Sequence, residues 1–585
     1  MSEAQVKAPW LSSYGVVPHT LEYAKGSMSQ NLFDTAHRLP DNVAYEFQGF
    51  ETTFKEFEEQ IHLAAKALYA WGIREGDAVT ICMPNCPQAI ITFYAINVIG
   101  AVANMIHPLS SEGEIAFYLE DSKSVCALTL QQFYPKFVAV KKKYPLQKLI
   151  VTSISDALSG VLKIGYNLTS GRKINKMAPI PENDPSVIWW NDFLKLGKKL
   201  LGNYECHKKP SDVAVILYSG GTTGKTKGIL LSNLNFNALA LQTVSMGNCF
   251  FEGAKMLAVM PIFHGFGLGV SIHTALCAGG TCILVPQVNV KLYSKLLRTK
   301  QPNVIAGVPT LFEGILRNPD MEGVDLSCLT GVFSGGDSLS IELKKKFDKF
   351  LLEHRASVRI REGYGMTECV TASCLTPYHI EREGSIGLPF PDTFYKIVKV
   401  GTTEEAPYGE EGEMCISGPS VMIGYAGLPE ETAATLRTHE DGRVWLHSGD
   451  LGMMDSDGFI YFKQRAKRMI ISSGYNIYPS QLENVIDGHK SVQMSCCIGV
   501  PDPYKMQKVK AFVMLRPGVK NTPEVIESIR APGTKNIAKY AMPYEFEIRE
   551  NLPKTLVGKV AYRELEAEEE AKRKAAEADA ANQQA

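Results

Sequence analysis

The densest chemical potential in this chain lies in Tyr218-Ser-Gly-Gly-Thr-Thr-Gly-Lys-Thr-Lys-Gly228. Positions 218–227 hold three glycines, three threonines and two lysines. Glycines let a backbone turn tightly and approach a ligand closely. Successive N–H groups and hydroxyls surround phosphate oxygens, and lysine supplies opposing charge. A nucleotide phosphate is the expected ligand. The stretch is not a Walker A loop, which requires G-x-x-x-x-G-K-[ST]. Gly224-Lys225-Thr226 fits the end of that pattern, but Ser219 stands where its first glycine belongs. The β-branched run Asp212–Tyr218 before it and Gly228–Ser232 after it both read as strands, which predicts a loop between two strands. The bland alternative is a surface hairpin; such loops are usually shorter and poorer in hydroxyls.

Other clusters follow in order: Pro261-Ile-Phe-His-Gly-Phe-Gly267, Val332-Phe-Ser-Gly-Gly-Asp-Ser338 and Arg361-Glu-Gly-Tyr-Gly-Met-Thr-Glu368. Then come His447-Ser-Gly-Asp-Leu451, Gln464-Arg-Ala-Lys467 leading to Gly474, and Leu552-Pro-Lys-Thr-Leu-Val-Gly-Lys559. Alone, each has a plain reading. A histidine among glycines is more often a structural hydrogen-bonder, and a lone surface lysine is usually just solvated.

Together and in this order, over roughly residues 30–565, they resemble the adenylate-forming (ANL) superfamily, in its acyl-CoA synthetase or long-chain fatty acid–CoA ligase type. The family's phosphate signature commonly reads YSSGTTGxPKG; Gly220 here replaces a serine and Thr226 the proline, and neither change removes a phosphate ligand. The resemblance implies that Ser219, Gly220, Gly221, Thr222, Thr223, Gly224 and Lys227 cradle the phosphates of ATP. It puts Tyr364 against adenine, with Gly336, Asp337 and Gly365 in the same pocket. Thr367 would bond the α-phosphate, and Glu368 would hold Mg²⁺, which prefers oxygen ligands. Asp450 would accept both ribose hydroxyls, and Arg465 would contact ribose or phosphate. His264, Gly335 and Gly363 would line the pocket for a carboxylic acid. Lys559 would serve the first half-reaction, Lys467 would be the hinge, and Gly474 and Tyr475 would line the approach of CoA.

The implied reaction joins a carboxylic acid to ATP, releases pyrophosphate, and passes the acyl group to CoA with release of AMP. Amino-acid-activating relatives carry an Asp where His264-Gly-Phe stands. Acetate-activating relatives carry a tryptophan at Gly365. A medium- or long-chain fatty acid is therefore the preferred substrate class, although an aryl or bile acid would fit an equally open pocket. Transfer to a separate carrier protein is the nearest rival. Two rivals of other classes are a P-loop NTPase, which would release ADP, and a non-catalytic acyl-binding protein.

The elements that must position these residues are readable in outline. The chain has 585 residues, too many for one ordinary core, with 45% hydrophobic and 21% charged residues. Its net charge of −1 offers no field for nucleic acid. The 13 cysteines form no C-x-x-C pair and read as free thiols, which suggests a cytoplasmic protein. The uncharged stretch Ala89–Ile106 reaches the lower length limit of a membrane span. Its Asn97, Gly100 and Asn104 favour a buried helix followed by a strand. Thr53-Phe-Lys-Glu56 is a capping box opening a helix with Phe57, Ile61, Ala64, Ala65 and Leu68 on one face.

Strands and helices then alternate, which argues an α/β class. The expected organisation is a large domain, 1–464, of doubly wound sheets with a β-rich part from Asp392. A small mobile α+β domain, 465–565, follows, and then a charged tail, 566–585, read as a frayed helix or disordered. Residues 159–181 mix Lys163, Arg172, Lys173 and Lys176 with Val161, Leu162, Ile164 and Leu168. That mixture reads either as a helical excursion covering the sheet edge or as peripheral contact with the inner membrane face. A homodimer is a further open expectation.

Overall fold

The computed structural model of the chain describes residues 6–181, 184–219, 226–287, 290–465, 468, 470–472, 475–477, 479–502, 504–536, 541–554 and 560–584. The strand pair expected around the phosphate loop forms. Val213–Ser219 and Lys227–Ser232 run antiparallel, with Tyr218 opposite Gly228 and Ser219 opposite Lys227. On its other side Val213–Ser219 runs parallel to Val102–Met105. That sheet continues through Ala78–Cys82, Cys126–Leu130, Lys148–Thr152 and Val187–Trp189. Ala78–Cys82 and Cys126–Leu130 are buried along their whole length. Such continuous apolar strands are what a parallel sheet covered on both faces requires.

A second sheet sets Val43–Phe47, Thr281–Leu284, Lys255–Ala258, Val304–Gly307, Gly331–Ser334 and Ile360–Tyr364 side by side, all parallel. Helix Pro87–Val98 is buried at every position and shares one core with strands of both sheets. It is the helix expected from the uncharged stretch, and Val102–Met105 is the strand. The stretch tolerates polar residues because they are paired. Asn97 Oδ1 accepts from the Ser29 N–H at 2.9 Å, and its amide donates to Asn233 Oδ1 at 2.8 Å. Asn104 donates to Thr80 Oγ1 at 2.8 Å. Among the described residues no helix is long and apolar enough to cross a membrane.

Helix Phe54–Ala70 opens on the expected box. Thr53 Oγ1 accepts from the Glu56 N–H at 3.2 Å and Glu56 Oε2 accepts from the Thr53 N–H at 2.8 Å. Five strands form the β-rich part: Phe394–Val398, Gly412–Ser417, Leu436–Thr438, Val444–Met454 and Ile460–Arg465. The last begins only at Ile460. The reason is a turn, in which the Gly458 N–H donates to Asp455 O and the Phe459 N–H to Asp455 Oδ1.

A smaller sheet, Ile470–Ser472, Tyr475–Ile477, Val492–Asp502, Met506–Leu515 and Glu545–Arg549, has its own core around Ile470, Leu482, Val492, Cys497 and Val513. The tail residues continue a helix that starts ahead of them. Helix Tyr562–Gln584 runs straight through the boundary expected at 565. Leu565 is fully buried against Phe512 and Leu552. Glu569, with Glu545 and Glu547, surrounds Lys510, which is 3% exposed. Leu565 and Glu569 anchor it, too few for periodicity to reveal. Residues 160–177 are helical throughout, and Val161, Leu162, Ile164 and Leu168 are exposed on them.

Candidate active site

Open α/β sheets present ligand groups at the carboxyl ends of their strands, and Ser219 and Tyr364 obey that rule. Tyr364 ends Ile360–Tyr364, and its hydroxyl donates to Asp450 Oδ2 at 2.7 Å. Its ring lies 5.8 Å from that of Phe462. Burial, then the neighbouring Asp450 carboxylate, raises the phenol well above its ordinary range, so it remains a donor. The strand is pinned from behind by Arg361. That guanidinium donates to Gly247 O at 2.7 Å, Met246 O at 3.1 Å and Thr376 O at 3.0 Å. It thereby satisfies carbonyls left open at the end of helix Asn233–Gly247.

The turn Thr367–Cys369 follows. Glu368 is 7% exposed, and its Oε1 accepts from the Tyr425 hydroxyl at 3.0 Å. Val370 then adopts a φ of +63°, rare for a β-branched residue and a mark of strain at functional turns. The turn is clamped against the His264 loop, since a Cβ on Gly265 would meet Val370 O at 1.8 Å. Gly365 is equally constrained, because a Cβ there would meet Thr371 O at 2.0 Å. Backbone packing thus demands glycine at 365 independently of any opening for the acid.

Lys227 ion-pairs with Glu431 and lies 4.6 Å from the centre of the Tyr425 ring. Ser219, Thr226 and Lys227 line the same cleft as Tyr364, Gly365, Thr367, Glu368 and Asp450. Gly220, Gly221, Thr222, Thr223 and Gly224 lie outside the described residues. His264, Gly336, Asp337 and Gly363 also line this cleft. His264 Nδ1 accepts from the Phe266 N–H at 3.2 Å, where a nine-residue π-helical run, Phe266–Thr274, begins. Such bulged geometry recurs at functional sites. Gly335 sits one layer back, 3.6 Å from Phe266 by its absent Cβ.

The cleft measures 1270 Å³, and its far wall comes from the smaller unit: Arg468, Ser480, Glu483, Val560, Ala561 and Tyr562. Arg468 pairs with Glu483 and lies 5.0 Å from the Tyr562 ring. Lys559, Lys467 and Gly474 lie outside the described residues. Arg465 is paired with Asp450 through the strand register, and Tyr475 begins strand Tyr475–Ile477.

Sequence reading missed several participants. Tyr425 and Glu431 stand far from any motif, and only the fold brings them to Glu368 and Lys227. Glu362 was visible beside Tyr364 but carried no expected role. It lies at the cleft, accepts from the Leu339 N–H at 3.1 Å, and burial raises its carboxyl to about 7. Gln464 lines the cleft, is 1% exposed, and neither atom of its amide has a partner among the described residues.

Residues 32–426 match the AMP-binding enzyme family, and residues 481–559 match the AMP-binding enzyme C-terminal domain. The long-chain-fatty-acid–CoA ligase of Bacillus subtilis (strain 168) is 34% identical over 571 residues, covering 97% of this chain and 99% of that protein. The enzyme of the same name from Salmonella typhimurium is 31% identical over 573 residues, covering 96% and 98%. Among solved structures, ATP-bound MatB from Rhodopseudomonas palustris superposes with a TM-score of 0.79 at 23% identity, covering 93% of this chain and 98% of that one. The anthranilate CoA ligase AuaEII in complex with anthranoyl-AMP gives a TM-score of 0.80 at 22% identity, covering 95% and 98%. At such identities these two structures speak for the fold alone.

Proposed function

Since this chain belongs to the AMP-binding enzyme family, we propose that it activates a long-chain fatty acid with ATP and transfers the acyl group to CoA. One observation carries the reading. The Tyr364–Asp450 pair, Glu368, Lys227 and the residues directly after Lys559 converge on a single cleft. The acid and the thiol follow the names of the full-length relatives from Bacillus and Salmonella.

A carboxylate is a poor electrophile. Attack of its oxygen on the α-phosphorus of ATP expels pyrophosphate and leaves a mixed anhydride. Such displacement depends on positioning and charge neutralisation. Tyr364 holds the Asp450 carboxylate against the cleft wall, ready for ribose hydroxyls. Lys227 exchanges Glu431 for a phosphate. Thr367 opens the turn that ends in the strained Val370 backbone and bonds the α-phosphate. Glu368 offers a nearly buried carboxylate in the cleft that Ser219, Thr226 and Lys227 also line, which fits a hard cation. Mg²⁺ bound there would neutralise phosphate charge.

Lys559 bridges the attacking carboxylate and the α-phosphate. The unit 465–565 then turns about Lys467 against the unit 1–464, withdraws Lys559 and presents Gly474 and Tyr475 to CoA. The CoA sulfur attacks the acyl carbonyl, its proton passes to solvent, and AMP leaves. Hinge motions of this kind commonly divide two steps run in one site.

The decisive assay is AMP release with ATP, Mg²⁺ and CoA across acids from acetate to palmitate, with cholate and benzoate included. AMP formed only with CoA and a long acid is the expected result. Pyrophosphate release without CoA dependence would move the acceptor to a carrier protein. Release of ADP would reject adenylation altogether.

One observation favours a second reading for residues 160–177. Val161 is 85% and Leu168 70% exposed on a helix that also carries Lys163, Arg172, Lys173 and Lys176. A helix covering the sheet edge would bury these side chains. Their exposure beside basic residues suits the surface of an anionic lipid bilayer.

A further inference from the structure

The five-stranded sheet behind the cleft gathers ligating atoms that the adenylation chemistry does not use. Its register places Cys415 of Gly412–Ser417 directly opposite His447 of Val444–Met454. Residues opposite one another in a strand pair project from the same face. His439 enters from the hairpin between Leu436–Thr438 and Val444–Met454. That hairpin is held by the His439 N–H to Arg443 O and the Gly442 N–H to His439 O, both at 3.0 Å. One ligand atom from each of Cys415, His439 and His447 lies within 4.8 Å of the other two, and all three residues are buried.

His439 and His447 turn their Nε2 atoms toward each other at 3.0 Å. Two imidazoles on one tetrahedral zinc, with bonds of about 2.0 Å, stand roughly 3.3 Å apart, so a shift of a few tenths of an ångström admits the ion. Glu413 Oε2 accepts from His447 Nδ1–H at 2.9 Å, which turns the lone pair of Nε2 inward. Carboxylate support behind a ligating histidine is the usual outer layer of such sites. His447 also lines the cleft, which gives an ion a route in.

We propose that Cys415, His439 and His447 form a binding site for a borderline-soft divalent cation, Zn²⁺ first among them. One thiolate and two imidazoles select such a cation over Mg²⁺. The site reaches the nucleotide wall through a single carboxylate. Glu413 Oε1 accepts from the Gly449 N–H at 3.0 Å, one residue before Asp450. A cation on His447 therefore braces the turn that carries Asp450.

The test uses the full chain, stripped with a chelator and kept in excess Mg²⁺ so that hard oxygen sites are filled. Zn²⁺ is titrated by calorimetry, and Cd²⁺ is titrated while the thiolate charge-transfer absorption is followed. Parent, Cys415→Ser and His439→Gln are compared, with unfolding temperatures taken without metal to confirm folding. Expected are one Zn²⁺ per parent chain, at least about tenfold weaker binding in each variant, and loss of the Cd²⁺–thiolate absorption in Cys415→Ser. Absence of stoichiometric Zn²⁺ binding by the parent overturns the proposal. So does binding as tight as the parent's in both variants, which would place the ion elsewhere. His439→Gln keeps every cysteine, so the outcome remains readable even if Cys415→Ser does not fold.

Discussion

Gln464 holds a primary amide at 1% exposure with neither end paired among the described residues. A buried polar group left without a partner costs about 1–3 kcal/mol. The amide lies on the cleft wall, beside the strand that carries Asp450. A bound nucleotide or the rotated small unit would satisfy it. Gln464→Leu should therefore raise ligand-free stability by about 1 kcal/mol in urea unfolding, while the KM for ATP rises roughly tenfold. A more stable variant with an unchanged KM would show that the amide has no ligand role.

Glu362 gives a pH signature at the same scale. Its carboxyl is raised from 4.5 to about 7 by burial, so the folded protein holds a proton that the unfolded chain has released. Stability from this group is greatest at low pH, falls as pH rises from about 4.5 to 7, and is level above that. The loss is on the order of 2 kcal/mol once cleft solvent is allowed for. Subtracting the stability–pH curve of Glu362→Gln from that of the parent should isolate this fall, and a flat difference would refute it.

Among the elements, what could be read from the chain was whatever local chemistry determines. The Thr53–Glu56 box and the spacing of Phe57, Ile61 and Leu68 specify helix Phe54–Ala70 with no help from the rest of the molecule. The strands on both sides of the phosphate loop were equally plain, because β-branched runs need no distant partner to be recognised. Tyr425 and Glu431 were not legible: they reach Glu368 and Lys227 only through the pairing of Gly424–Tyr425 with Lys227–Ser232. The tail helix escaped for a related reason, since Lys510 lies 59 residues from its partner Glu569.

Residues 160–177 were legible as basic and apolar, but the fold decided which side chains stay outside. The double change Val161→Glu and Leu168→Glu should weaken binding to anionic vesicles roughly tenfold in flotation assays, because apolar burial at the interface is lost. The KM for ATP should not move. Unchanged flotation would return the segment to the role of a surface excursion.

At the scale of the whole molecule, the cleft has two owners. One wall is built on the large sheets, with Tyr364, Asp450 and Glu368; the other belongs to the small unit, with Arg468, Glu483 and Tyr562. Val560 forms an isolated bridge with Lys554, and Val560, Ala561 and Tyr562 line the cleft. If a single cleft serves both half-reactions, groups supplied by the small unit must matter to one step and not the other. Lys559→Ala tests this division directly. Loss of one positioned charge in a developing transition state costs about 10²–10³ in rate. Adenylation, followed as acid-dependent exchange of pyrophosphate into ATP, should fall by that factor or more. Thioester formation from supplied acyl adenylate and CoA should stay within a few-fold of the parent, because Lys559 has then left the reacting atoms. Equal loss in both assays would mean that Lys559 stabilises the closed cleft as a whole, and the two-step division of labour between the units would have to be abandoned.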